Sequence, residues 1–273
     1  MSRSGFPTPP AGKSWLQSVS EGKVLGYSTL GKFGYNPAIA TTTDPETVWE
    51  GGGVYNYSTT ADIQSLASDN ALDTQSIKIQ GLDILGRESI QTYTLTGTTR
   101  VALDPLLYRV YRMENMGTTD LAGTIFCYTG TGAVPAIGDA EVKALIDNGN
   151  NQTLMALSTV PLGKVGFLYR GEGGLSFSAG PQATDYANVE YRTRLKGGVF
   201  KIQKRVSIIT TGTSIFQDAL SFPVPLPALT DIEIYVSEVS AIMGVWAIYE
   251  MLLVDEDQLA PEFLDAIGQP TSL

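Results

Sequence analysis

Short runs in which apolar and polar residues alternate fill most of this chain, and the clearest lies between Ser76 and Thr99 (SIKIQGLDILGRESIQTYTLTGTT). Ile77 and Ile79 fall on one face with Lys78 and Gln80 on the other, and Ile90, Tyr93 and Leu95 supply a less regular apolar set on the return. A period of two residues is that of a strand with one buried face, so the stretch is predicted to be a β-hairpin. Its turn is placed between Gly81 and Gly86, where Asp83 and two glycines suit a bend that needs left-handed backbone angles.

From Val48 onward the texture repeats in VWEGGGVYNY, DIQSLAS, LLYRVYRMEN and LAGTIFCY, then in NQTLMALSTV, KVGFLYRG, NVEYRTRLKG, VFKIQKRVSIIT, DIEIYVSEVS and GVWAIYEMLLVD. Each run is short and bounded by Gly, Asn, Asp or Pro, which argues for a mainly β chain, an antiparallel β-sandwich or barrel rather than βαβ units. AEVKALID, in the loop-rich interval 130–149, fits one helical turn or another strand. Pro223, Pro225 and Pro227 strip donors from one side of an extended segment, which must be an edge or a connection. The body is expected over 46–255, as one sandwich or as two packed β units at 46–137 and 150–255.

The two ends read differently. Residues 1–45 are rich in Pro, Gly, Ser and Thr, with Trp15, Leu16, Leu25, Tyr27, Phe33 and Tyr35 scattered among them. They fit an extended N-terminal arm that grips its own domain or a neighbour, and they fit equally an edge strand of the same sandwich. After Val254 the acidic DEDQLAPEFLDAIG is predicted to hold a short helix with Asp255 or Asp257 near its start, in an acidic tail at 256–273 whose last five residues are free. The start of the chain lacks the apolar core of a signal peptide, and the richest apolar run, 242–254, is broken by Glu250; no membrane partner is expected.

Composition narrows the chemistry. A chain of 273 residues with 43 % hydrophobic residues can bury a substantial core. The net charge of -10 repels phosphate backbones, so no nucleic-acid partner is expected. There is no histidine, which removes Ser-His and Cys-His nucleophile pairs and the usual zinc sites. The single cysteine, Cys127, sits in the apolar run GTIFCY and reads as a buried, inert thiol. No cofactor or metal site is expected. Asp255, Glu256 and Asp257 are the densest carboxylates and read as crowding at a surface helix start, while the glycine runs at Gly51, Tyr128 and Gly171 lack the ending of a phosphate loop and read as turns.

One basic region stands out. Arg192, Arg194 and Lys196 share one face of a strand by their i, i+2, i+4 spacing, and Lys201, Lys204 and Arg205 follow. The set is either a solvated strand face or a dock for an acidic patch on a partner or a second copy. Trp49, Tyr55, Tyr57, Tyr93, Tyr108 and Tyr111 read as core or interface, with Tyr108 and Tyr111 expected on opposite faces.

Five stretches, GKFGYNPAI from Gly31, VWEGGGVYNY from Val48, KIQGLDILGRESIQTYTLTGTT from Lys78, NQTLMALSTVPLGKVGFL from Asn151 and FPVPLPALTDIEIYV from Phe222, resemble a family of tailed-bacteriophage virion structural proteins. The blocks occur in this order over most of the chain. The resemblance implies a virion component and not an enzyme, with a jelly-roll-like sandwich and a homo-oligomeric state, a trimer being the first expectation. Its partners would be the major capsid protein or neck and tail proteins, and its station a capsid decoration or cement, a head fibre, or a neck or tail accessory. Assembly contacts are expected at Trp15, Leu16, Phe33 and Tyr35, and secondarily at Arg192 and Arg194. The alternative is a carbohydrate-binding host-adsorption module on a tail or head fibre, holding host glycan through exposed aromatics and carboxylates. A carboxylate glycosidase would need two acids across a cleft, and no paired motif presents them.

Overall fold

The computed structural model describes residues 14–40, 45–176, 185–210 and 215–268, with the side chains of 218–222 left aside. In chain order the strands are β1 (Tyr27–Ile39), β2 (Glu46–Thr47), β3 (Ile63–Ser68), β4 (Ser76–Leu82), β5 (Glu88–Thr94), β6 (Val101–Leu107), β7 (Arg109–Asn115) and β8 (Ile125–Tyr128). They continue with β9 (Val142–Ile146), β10 (Leu157–Thr159), β11 (Lys164–Ser176), β12 (Tyr186–Leu195), β13 (Lys201–Ile209), β14 (Ile215–Leu226), β15 (Thr230–Val239) and β16 (Met243–Asp255). Two short helices, α1 (Trp15–Ser20) and α2 (Pro261–Ile267), lie at the ends. No helix among the described residues is long and apolar enough to cross a membrane.

The protein is a mainly β, antiparallel sandwich, and its strand order identifies the winding. One sheet runs β1-β16-β11-β14 and a second β10-β15-β12-β13, with β2 also on β15. Counted without the strands from β2 to β9, the first sheet holds strands one, eight, three and six, and the second holds two, seven, four and five. That is the double Greek key of an eight-stranded jelly roll. The segment between β1 and β10 folds as a unit of its own, with sheets β6-β3-β8-β9 and β5-β4-β7. Each unit has a core: Ile63, Leu66, Ile77, Ile79, Val110, Met113, Ile125 and Phe126 in the inserted unit, and Leu168, Val189, Ile232, Ile234, Val245, Tyr249 and Met251 in the jelly roll.

Of the span at 1–45 that reads as arm or edge strand, residues 27–39 take the second form: β1 pairs antiparallel with β16, from Tyr27 opposite Val254 to Ile39 opposite Met243. Gly34 is required there, because a Cβ would lie 2.1 Å from the Ala156 nitrogen and 2.6 Å from the Val48 carbonyl oxygen. The expectations for residues 1–13 and 41–44 and for the last five residues fall outside the described residues.

The hairpin at 76–99 forms as β4 and β5, with Ile77 and Ile79 fully buried and Ile90 exposed. Asp83 Oδ1 accepts from the Leu85 and Arg87 amides, and Gly86 takes φ +82, so the turn is the aspartate-led bend with its left-handed glycine. Gly81 lies in β4 instead. AEVKALID is a strand, β9, buried along its length. Pro223 and Pro225 lie in β14, which among the described residues pairs only with β11 and so is a sheet edge, and Pro227 follows its end.

Two local expectations are corrected. Tyr108 falls in the break between β6 and β7, so strict alternation stops there, and it packs with Tyr111 and Leu82 in one small buried cluster. At the C-terminus α2 starts at Pro261 with Ala260 as its cap, because Asp255 Oδ1 is held by Lys164 at 2.7 Å and precedes a separate 3-10 turn at Glu256–Gln258.

Candidate functional site

The two outer faces of the jelly roll carry opposite chemistry. On the second sheet, residues that point away from the core alternate along β12 and β15: Arg192 and Arg194 on one strand, Asp231 and Glu233 on the other. Arg192 stands opposite Glu233 and Arg194 opposite Asp231 in the strand register. The inserted unit covers this face and adds Arg109 from the start of β7.

Asp231, 1 % exposed, is the hub. Arg109 grips both of its oxygens, Nε to Oδ1 and Nη2 to Oδ2, each at 3.2 Å, Arg194 Nε donates to Oδ2 at 3.0 Å, and the Thr159 hydroxyl donates to Oδ1 at 2.5 Å. Glu233, fully buried, takes Arg192 through Nε and Nη2 and the Tyr57 hydroxyl at 3.2 Å. Burial raises the Glu233 carboxyl above its usual range although Arg192 pulls it down. Burial also pulls on Arg109, but the charge of Asp231 outweighs it and its guanidinium stays firmly protonated. The Tyr57 hydroxyl is raised well above its ordinary value by burial and by the neighbouring Glu233 charge.

Aromatic rings flank the cations. Arg109 lies 3.9 Å from the Tyr108 centroid, Arg194 4.5 Å from Tyr57 and 4.4 Å from Phe200, Arg192 3.1 Å from Tyr235, and the Lys196 ammonium 4.5 Å from Tyr108. Apart from Tyr235, these residues wall a cavity of about 510 Å³ between the inserted unit and the jelly roll. The reading of Arg192 and Arg194 as a solvated strand face is corrected: their side chains are only 15 % and 23 % exposed, because the inserted unit lies over them. Arg109, Asp231, Glu233 and Phe200 were not singled out from the sequence. The signal that could have found the two acids is that DIEIYV repeats, with carboxylates, the i, i+2 spacing of the arginines.

On the first sheet the outer face is apolar. Phe33, 40 % exposed, stands opposite Ile248, and Tyr35 opposite Trp246, while Leu252 stands opposite Phe167 on β11. An ion-paired row, Arg170 with Glu172 at 2.9 Å and with Glu250 at 3.8 Å, crosses the middle. At one end α1 lies against the sheet. Its N-cap Ser14 accepts from the Gln17 amide, and Trp15 meets Tyr27 edge-on at 5.3 Å. Trp15, Leu16, Tyr27, Phe167, Tyr169 and Leu252 line an apolar groove of about 620 Å³ there. The four expected contact residues Trp15, Leu16, Phe33 and Tyr35 therefore lie on one face, two from a helix and two from a strand.

A second buried cation has no such partner. Lys32, 4 % exposed on the inner side of β1, donates its Nζ to the Tyr111 carbonyl, and no carboxylate pairs with it among the described residues. Burial, with Arg112 adding repulsion, lowers it from 10.5 to about 7. Cys127 is buried, and burial pushes its thiol far up, so it is inert as expected.

No protein-family model matches the chain, and no curated protein matches it. Among solved structures it is similar to the crystal structure of the infectious bursal disease virus VP2 subviral particle, at 12 % identity and a TM-score of 0.23 over 84 % of this chain and 71 % of that one. It is also similar to a structure of infectious bursal disease virus Gt strain, at 10 % identity and a TM-score of 0.21 over 84 % and 72 %. Likenesses at these TM-scores support no inference about this chain, and the jelly-roll assignment rests on its own strand order.

Proposed function

We propose that this chain is a non-enzymatic structural protein of a tailed-bacteriophage virion. It binds other virion proteins and further copies of itself as a capsid decoration or cement, or as a head–tail accessory. The observation that carries this reading is the apolar outer face of the sheet β1-β16-β11-β14, which among the described residues is covered only at one end, where α1 lies and Phe263 of α2 stacks on Phe167 at 5.9 Å. A sheet face turned to water ordinarily carries the polar half of the alternation, and this one, beyond the end under α1 and α2, carries Phe33, Trp246 and Ile248. A repeated particle would cover the same face in every copy, so a modest contact gains by multiplicity.

Reconstruction of the particle that carries the chain tests the reading. The expected result is Phe33, Ile248 and Trp246 buried against a neighbouring subunit in every copy. A particle in which that face looks into solvent throughout, or a chain absent from particles, would overturn it.

A further inference from the structure

The cavity over β12 and β15 holds more positive charge than its own carboxylates neutralise. Its lining carries four cations, Arg109, Arg192, Arg194 and Lys196, and one acid, Asp231, while Glu233 pairs with Arg192 from behind the lining. The donors divide unevenly. Arg109 is spent: Nε and Nη2 go to Asp231, Nη1 to the Ser58 and Tyr108 carbonyls, and Nη2 also to the Tyr108 hydroxyl. Arg192 is committed to Glu233. Arg194 gives Asp231 only its Nε, and neither of its Nη groups has a hydrogen-bond partner among the described residues. The Lys196 ammonium has, among the described residues, only the face of Tyr108.

We propose that this cavity is a binding site for a small ligand bearing one oxyanion (carboxylate, sulfate or phosphate ester), held by the Arg194 Nη groups and the Lys196 ammonium. Three features favour such an occupant. First, one carboxylate, Asp231, is shared by two guanidiniums, which leaves surplus positive charge in a chain of net charge -10, where bulk electrostatics would repel an anion from most other places. Second, the Arg194 guanidinium rests against both the Tyr57 and the Phe200 rings, so its free edge is presented with little loss of side-chain freedom on binding. Third, a cavity of about 510 Å³ is the size of a site for a mono- or disaccharide or a comparable small molecule, not of a flat protein contact. The faces of Tyr57, Phe200 and Tyr108 already carry cations, so the site recognises the anionic group and offers little to a neutral sugar ring. The site is independent of the apolar face on the opposite side of the jelly roll, and either can fail without the other.

Calorimetric titration of the full chain at low ionic strength with sodium glucuronate, sodium sulfate and glucose tests it. The expected result is one glucuronate or sulfate bound per chain, weakened by added sodium chloride, and no heat from glucose. Glucuronate bound at least tenfold tighter than sulfate would mark an acidic sugar as the source, and equal affinity an inorganic anion. Arg194→Gln and Lys196→Gln should each weaken binding tenfold or more. Lys196 is exposed and outside the strand, so K196Q reads the site even where R194Q perturbs the fold. Absence of binding by both anions, or affinity unchanged in K196Q and in a folded R194Q, would overturn the proposal.

Discussion

The two outer faces of the jelly roll invert the usual arrangement. The face covered by the inserted unit is built of ion pairs, Arg192 with Glu233 and Arg194 with Asp231, while the face left open among the described residues is built of Phe33, Ile248 and Trp246. Apolar burial was the simpler way to attach the inserted unit. A buried ion pair seldom stabilises more than well-packed apolar residues would, but it has only one good geometry. The covered face therefore fixes how the two units sit, and the open face keeps apolar area available for a contact outside the chain.

The largest effect should come from the hub of the covered face. Asp231→Asn keeps the shape of the side chain but leaves Arg109, 3 % exposed, without its counter-charge, and urea unfolding should show a loss of about 3–5 kcal/mol. Pairing it with Arg109→Met should recover part of that loss, because the deeper of the two uncompensated charges is then gone and only the more exposed Arg194 is left without Asp231. A loss below about 1 kcal/mol for the single variant would mean that the charges do not hold the units together, and the comparison would break.

A smaller effect separates the paired cation from the unpaired one. Arg109 keeps its charge through Asp231, whereas Lys32 is lowered by burial to about 7. Between pH 7 and the unfolded value of 10.5 the unfolded chain binds more protons at Lys32 than the folded chain, so stability should rise with pH, by up to about 1.4 kcal/mol per unit. Glu50 has the opposite sign. Burial raises it to about 7, so the stability it contributes is present below 4.5 and is lost as pH climbs toward 7. In a chain without histidine these two groups place a trough in stability near neutral pH. Urea midpoints across pH should show it, Lys32→Met should remove the alkaline arm, and Glu50→Gln the acid arm. A flat profile in the wild-type chain would show that burial shifts neither group.

How much of this was legible depends on whether the relevant neighbour is local. The hairpin could be read because Ile77, Ile79, Asp83 and Gly86 act on one another within a few residues. The arginine face could be read as a face, but its partners lie about forty residues away on β15, and covering by the inserted unit is a property of neither strand alone. Two packed β units at 46–137 and 150–255 were one of the two expectations, and what stayed hidden, for the same reason, is that β1 joins the strands of the second. Strands in both share one alternating texture, and nothing local says that Phe33 pairs with Ile248 while the residues between 48 and 155 fold elsewhere.

The smallest effect on stability should come from the open face, and there a different measurement carries the result. Phe33 is 40 % exposed with only its strand neighbours to lose, so Phe33→Ser should change unfolding free energy by about 1 kcal/mol or less. The same change removes an aromatic anchor from the proposed contact, and such anchors dominate binding energy out of proportion to their area. Sedimentation velocity should therefore show the wild-type chain associating, with a trimer as the first expectation, and the variant shifted toward monomer at equal concentration. If Phe33→Ser instead destabilises the fold as much as Asp231→Asn, the face belongs to the chain's own core. Association unchanged in a stable variant would move the contact away from this face and leave its exposed aromatics without a role.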